Sequence, residues 1–312
     1  MHELLNNHSL VLMEAAIVER LRRAAGVELH PVLVNAPLIY QQAGREAMRE
    51  IYEEYCDIAL EAKTPFLMCT PTWRTNRQRV SDTGINESIN RDAVHFLQAI
   101  RESHPHAQDN IRIGGMIGCK NDCYRPGESL TVQEAEQFHA WQIAELAEGG
   151  VDFIIAETLP AVEEAIGIAR AAERSGLPYF ISFVISRDGR VLDGAPLDEA
   201  IKRVDAATGI QALGYLVNCA YPTFLCAASQ PPALFERLIG YLANASSLDQ
   251  CELDGAAELM AESVSEWGDS MLELHTNYGL KILGGCCGTN VRHLRYLADT
   301  GVDSGVHSGK QS

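Results

Sequence analysis

Short apolar runs rich in Val, Ile, Leu and Phe alternate with longer amphipathic stretches along almost the whole chain. The runs that read as strands are SLVLMEAA (9–16), PFLMCTPTW (65–73), IRIGGMIG (111–118), VDFIIAET (151–158), PYFISFVI (178–185), GYLVNC (214–219), LIGYLANAS (238–246) and LKILGGC (280–286). Between them lie helical patterns such as 44–62, 86–103, 131–150 and 161–176. The third opens with Thr131 and Glu134 at capping-box spacing, and the fourth stops at Ser175, Gly176 and Pro178. The strands are apolar throughout rather than alternating, which predicts a parallel sheet covered on both faces, either doubly wound or closed into a (β/α)8 barrel.

The placement of chemistry favours the barrel. Thr70, Cys119, Glu157, Asn218, Cys219, Asn244, Cys286 and Cys287 all fall at or just beyond the carboxyl end of a run. A barrel gathers those ends on one face, where active sites of this fold lie. The expectation is a single barrel over residues 1–302, followed by a polar, Gly- and Ser-rich tail, 303–312, that is disordered.

Composition narrows the partners. The chain has 312 residues, 46% of them hydrophobic and 21% charged, and holds no run of about 18 uncharged apolar residues. Its 25 Lys and Arg against 42 acids give a net charge of −17, which argues against nucleic acid or an anionic membrane and for small-molecule ligands. At the start of the chain, Glu14 interrupts the first apolar run and no basic segment precedes it, so no secretory signal is expected and a cytoplasmic location follows by default. Monomer and homo-oligomer both remain open.

Nine cysteines, an odd number, then call for another use than bridges in a reducing compartment. The adjacent Cys286 and Cys287 are poor material for a disulfide, because bridging neighbours strains the peptide and closes almost no loop. If Cys219 ends one strand and Cys286 and Cys287 another, three thiols can meet at the mouth, and three ligands leave zinc an open position for substrate. Gly284 and Gly285 are expected to permit the sharp bend that this needs. Core thiols remain the alternative. Cys119 and Cys123 have neither the redox spacing nor further ligands, and GGMIG lacks the spacing that cradles a dinucleotide. His104 and His106 are expected in an exposed loop at the opposite rim, and His139 as a packed helix residue.

The segments GYLVNC and GGCCGTNVRHL resemble the zinc-binding signatures of the homocysteine S-methyltransferase family. FHAWQIAELAEGGVDFIIAET (138–158), CTPTWR (69–74) and GCKNDCYRPGE (118–128) extend the likeness to about residues 9–300. The resemblance implies a (β/α)8 barrel with one zinc ion per chain on Cys219, Cys286 and Cys287, and Glu157 as the acid that binds the homocysteine ammonium. Glu14, Asn218, Thr70 and Trp73 are further substrate-site candidates, with Ser182 a weaker one. EAAIVERL (14–21) departs from the family's D-G-G/A-x-G-T-E-L, with Glu14 in the place of the aspartate.

The implied reaction moves a methyl group from a small onium donor, of the S-methylmethionine or betaine type, to the homocysteine thiol, giving methionine. Trp73, Tyr124 and Tyr40 are the aromatic candidates for the donor cation. A chain filled by one barrel leaves no room for cobalamin-binding modules, so cobalamin independence is expected. Two other readings stand beside this one: another small thiol or selenol as acceptor, and a non-catalytic barrel whose zinc is closed by a fourth ligand such as Cys226.

Overall fold

The computed structural model describes residues 1–86, 88–104, 110–248 and 262–305, with side chains as far as 301. The eight expected strands are present: β1 Val11–Met13, β2 Phe66–Cys69, β3 Ile111–Gly118, β4 Phe153–Leu159, β5 Tyr179–Phe183, β6 Gly214–Asn218, β7 Leu238–Ala243 and β8 Ile282–Gly285. Each pairs in parallel with its neighbour in sequence, and β1 closes on β8 through Val11 opposite Ile282 and Leu12 opposite Leu283. The result is a closed (β/α)8 barrel.

Two apolar layers explain the unbroken hydrophobic runs. Val11, Met13, Leu67, Phe153, Ile155, Phe180, Leu216 and Ile282 fill the barrel interior. The residues between them, such as Leu12, Phe66, Met68, Ile154 and Val217, pack outward against the helices. Both faces are buried, so neither could be polar.

The helix Val132–Gly149 begins where its capping box lies, Thr131 N–H donating to Glu134 Oε2 at 3.1 Å, and ends at left-handed Gly150. The helix Val162–Ser175 stops at left-handed Gly176. One crossover departs from the expected alternation. Between β6 and β7 the chain runs through three short 3-10 turns, Pro222–Leu225, Ala227–Ser229 and Pro232–Glu236, because prolines open the first and third and left-handed Cys226, at φ 49°, breaks the chain between the first and second. The last helix, Val291–Gly305, takes in residues 303–305 of the expected tail, and 306–312 lie outside the described residues. His104 also differs from expectation: its ring is largely covered and its Nδ1 lies 2.9 Å from Ile100 O, while His106 is outside the described residues. His139 is fully buried, as expected.

The two glycines before the cysteine pair serve a purpose other than the expected bend. Neither has a positive φ; the left-handed residue of this turn is Gly288, at φ 81°. What they provide is room. A Cβ on Gly284 would lie 2.8 Å from Met13 O and 2.9 Å from Glu14 O, and one on Gly285 would lie 2.2 Å from Thr289 Oγ1. Gly284→Ala is therefore expected to push β8 off β1 and lower the unfolding free energy by about 1–3 kcal/mol, read by urea denaturation.

Candidate functional site

The carboxyl ends of the strands enclose a pocket of about 310 Å³. Glu157 and Asn218 reach it because they continue the inward phase of Phe153 and Ile155 in β4 and of Leu216 in β6. Cys219 follows β6 with its backbone in the left-handed region, φ 56°, and its N–H donates to Leu242 O at 3.1 Å. Cys286 and Cys287 follow β8 on a turn pinned from several sides. Cys286 N–H donates to Ala243 O at 2.7 Å, Cys287 O accepts from Ala245 N–H at 2.9 Å, and Thr289 Oγ1 donates to Cys286 O at 2.6 Å. Glu19 accepts a hydrogen bond from Gly288 N–H.

These turns bring the sulfurs of Cys219, Cys286 and Cys287 within 4.8 Å of one another, all half-buried. Sulfurs held at about 2.3 Å around a tetrahedral ion sit roughly 3.8 Å apart, so the set fits a thiolate-held metal such as zinc. No other His, Cys, Asp or Glu among the described residues joins the cluster. Cys226 is engaged elsewhere, its thiol donating to Arg187 O at 3.3 Å. Three thiols so close cannot all ionise by themselves. Hydrogen bonds with Cys219 and Cys286 hold Cys287 well below the ordinary thiol value, while the bonds of Cys219 to Cys286 and Cys287, with burial, keep Cys219 well above it.

Two buried carboxyls face the same pocket. Glu14 is raised well above the usual range, first by burial and also by Glu157, against the hydrogen bond it accepts from Cys69 N–H at 2.7 Å. Burial pushes Glu157 up to about 7. Its Oε1 has no partner among the described residues, although it is buried. An unpaired buried oxygen is costly to keep and points to a cationic group from outside the chain.

The other candidates divide. Thr70 lines the pocket, but its hydroxyl is 2.7 Å from that of Thr72 and accepts from Met116 N–H at 3.0 Å, which ties β2 to β3. Ser182 donates to Asn218 Oδ1 at 2.7 Å and is buried behind the lining. Asn218 Nδ2 donates to Cys219 Sγ at 3.4 Å. Trp73 lines the pocket, donates from Nε1 to Thr158 Oγ1 at 2.7 Å, and already carries the Arg74 guanidinium 3.8 Å from its ring centre. Tyr124 is also in the lining. Burial, followed by the nearby thiols, holds its hydroxyl above the ordinary phenol range. Tyr40 does not join them: it is exposed, with its hydroxyl on Asp92 Oδ2 at 2.5 Å, outside the pocket. Asn244 is buried, but it too lies outside the lining.

Sequence reading missed Glu19, Arg22, Cys123 and Thr158, all of which line the pocket. Glu19 had a usable signal, a carboxylate shortly after the first strand. Cys119 and Cys123 are both buried, and their thiols are pushed up to about 12, chiefly by that burial, so they are inert rather than reactive.

Comparisons with known proteins agree with this fold and identify its family. The family profile described as homocysteine S-methyltransferase matches residues 11–300. Homocysteine S-methyltransferase YbgG of Bacillus subtilis is 22% identical over 95% of both chains, and homocysteine S-methyltransferase 4 of Zea mays is 29% identical over 88% of this chain and 84% of its own. Among solved structures, the metallated form of the homocysteine methyltransferase MmuM from Escherichia coli superposes with a TM-score of 0.76 at 20% identity, covering 95% of this chain and 98% of its own. At that identity the superposition speaks for the fold. No helix among the described residues is long and apolar enough to cross a membrane. The profile match over nearly the whole barrel shows that the chain belongs to the homocysteine S-methyltransferase family and is an S-methyltransferase.

Proposed function

We propose that the protein transfers a methyl group from a small onium donor to the thiol of L-homocysteine, with one zinc ion held by Cys219, Cys286 and Cys287. The observation that carries this reading is the convergence of three sulfurs, within 4.8 Å, in the same pocket as the unpartnered carboxylate oxygen of Glu157. A thiol and an ammonium on one small molecule answer both. Among the described residues the cluster has no fourth protein ligand, which leaves the open position that distinguishes catalytic from structural zinc.

Zinc bound by these thiols would supply the charge that keeps the acceptor sulfur as thiolate at neutral pH. The residues of the chain do the rest. Glu157, ionised, takes the ammonium and fixes the amino-acid end. Met13, Met116 and Leu242 exclude water around the sulfur. In the lining the carboxyl groups of Glu14, Glu19 and Glu157 outnumber the one cation, Arg22, which favours a cationic donor over a neutral one. Trp73 and Tyr124 offer aromatic surface to such a cation, although Arg74 stacks on the Trp73 ring. The acceptor sulfur attacks the methyl carbon in line as the bond from donor heteroatom to methyl breaks, and the electron pair leaves with the donor. The thiol proton goes to solvent, and the products are methionine and the demethylated donor.

The test is zinc-edge X-ray absorption of the reduced, zinc-loaded protein with and without L-homocysteine. Three sulfurs plus a lighter atom, becoming four sulfurs on addition, is the expected result. A closed site that homocysteine leaves unchanged would refute the reading. Turnover with S-methylmethionine and with betaine then selects the donor.

A further inference from the structure

A threonine in the pocket wall has a backbone that its residue type resists. Thr158 sits at φ 58°, and for a β-branched residue a positive φ is a true outlier, held only where its surroundings enforce it. The pairing of β4 with β5 shifts register between Ala156 and Leu159, so this residue lies in an irregularity of the strand that ends the pocket wall. Such irregularities re-aim side chains beside active sites. Here the neighbour concerned is Glu157.

Every polar atom of Thr158 on this side is committed. Its hydroxyl donates to Glu157 O at 2.6 Å and accepts from Trp73 Nε1 at 2.7 Å. Its N–H donates to Asn218 Oδ1 at 2.9 Å, an oxygen that also receives Ser182 Oγ at 2.7 Å. The other end of the Asn218 amide meets Cys219 Sγ at 3.4 Å, and Cys219 is itself left-handed at φ 56°. The strained ends of β4 and β6 are thus fastened to each other through one buried amide, with Trp73 fastened to the same threonine.

We propose that Thr158 is a positioning residue whose hydroxyl and left-handed backbone set Glu157 against Cys219, so that one acceptor can meet both with its ammonium and its sulfur. This rests on the roles given above to Glu157 and the thiols. Glu157 supplies the charge and Cys219 the sulfur, while Thr158 fixes how far apart they stand. A thiol with no ammonium is indifferent to that spacing.

Calorimetric titration of zinc-loaded protein with L-homocysteine, and with 4-mercaptobutanoate, which is homocysteine without its amino group, separates positioning from general support. Thr158→Val, which keeps the branched shape and removes the hydroxyl, should weaken homocysteine about tenfold and leave 4-mercaptobutanoate within about twofold, as expected for loss of a buried hydrogen bond that acts on one contact only. Thr158→Ser should restore homocysteine to within about twofold of wild type. If Thr158→Val does not fold, Thr158→Ala, which lacks both the hydroxyl and the strained branch, should show the same split. Equal weakening of both thiols, or no weakening, overturns the proposal. Glu157→Gln is titrated alongside. If it leaves homocysteine affinity unchanged, the reading of Glu157 fails and this proposal with it. If it weakens homocysteine while Thr158→Val does not, the role of Thr158 alone fails.

Discussion

Cys219→Ser, Cys286→Ser and Cys287→Ser are each expected to abolish methyl transfer and to lower zinc affinity by more than about 100-fold, beyond the loss typical of a partner that merely supports a ligand. The barrel should survive each change. The turns carrying these thiols are held by backbone hydrogen bonds to Leu242, Ala243 and Ala245, which the sulfurs do not make. Metal content after gel filtration, together with circular dichroism, reads both halves of the result. Cys226→Ser is the matched control and should keep its zinc, because that thiol is bonded to Arg187 O. A serine variant with full zinc occupancy would remove its cysteine from the ligand set.

The second large effect is expected at Glu157. Replacing it by Gln leaves a bound ammonium buried without its counter-charge, a loss of about 3–5 kcal/mol, or roughly 10²- to 4 × 10³-fold in homocysteine affinity. pH dependence separates this from a packing effect. Burial raises Glu157 to about 7 in the folded protein, so below that pH the free protein must give up this proton before it can pair with an ammonium. Wild-type affinity should therefore fall more steeply than that of Glu157→Gln as the pH drops below 7. Stability moves the other way. A carboxyl whose folded pKa is raised stabilises below its unfolded value of about 4.5, and that contribution is lost as the pH rises through 7. At pH 8 Glu157→Gln should gain up to about 3 kcal/mol on wild type, and near pH 4.5 nothing, by urea denaturation. Parallel affinity curves for the two proteins would count against Glu157 as the ammonium partner.

The barrel was legible because its strands are buried on both faces, which leaves a simple signature of short apolar runs between long amphipathic ones. The crossover without an α-helix was legible too, in Pro222, Pro231 and Pro232, but a strong alternating pattern on either side masked it. The three thiols could be placed because strand ends of a barrel share one face. Other features left weaker marks or misleading ones. Gly284 and Gly285 look like bend residues, yet what they supply is clearance, which depends on atoms of β1 far away in sequence. Tyr40 carries the same ring as Tyr124, and only packing separates the exposed one from the one in the pocket. Thr158 ran against its own propensity: a β-branched residue gives no hint of a left-handed backbone, since the irregular pairing of β4 imposes it.

The seam between β1 and β8 bears on how the protein comes into being. Gly285 N–H donates to Glu14 O at 3.0 Å, so the first strand of the barrel and its last close the ring together, and the cysteine pair follows the last of the eight. A chain leaving the ribosome presents Cys219 without its companions until the other seven strands of the barrel have emerged. Any ion that needs all three sulfurs finds a complete seat only on a finished ring, and its binding free energy adds to the closed form alone. Such an ion would require the closed barrel while the closed barrel would not require the ion, so a growing chain could not be loaded early, and a chain cut short before β8 would offer only Cys219 of the three thiols.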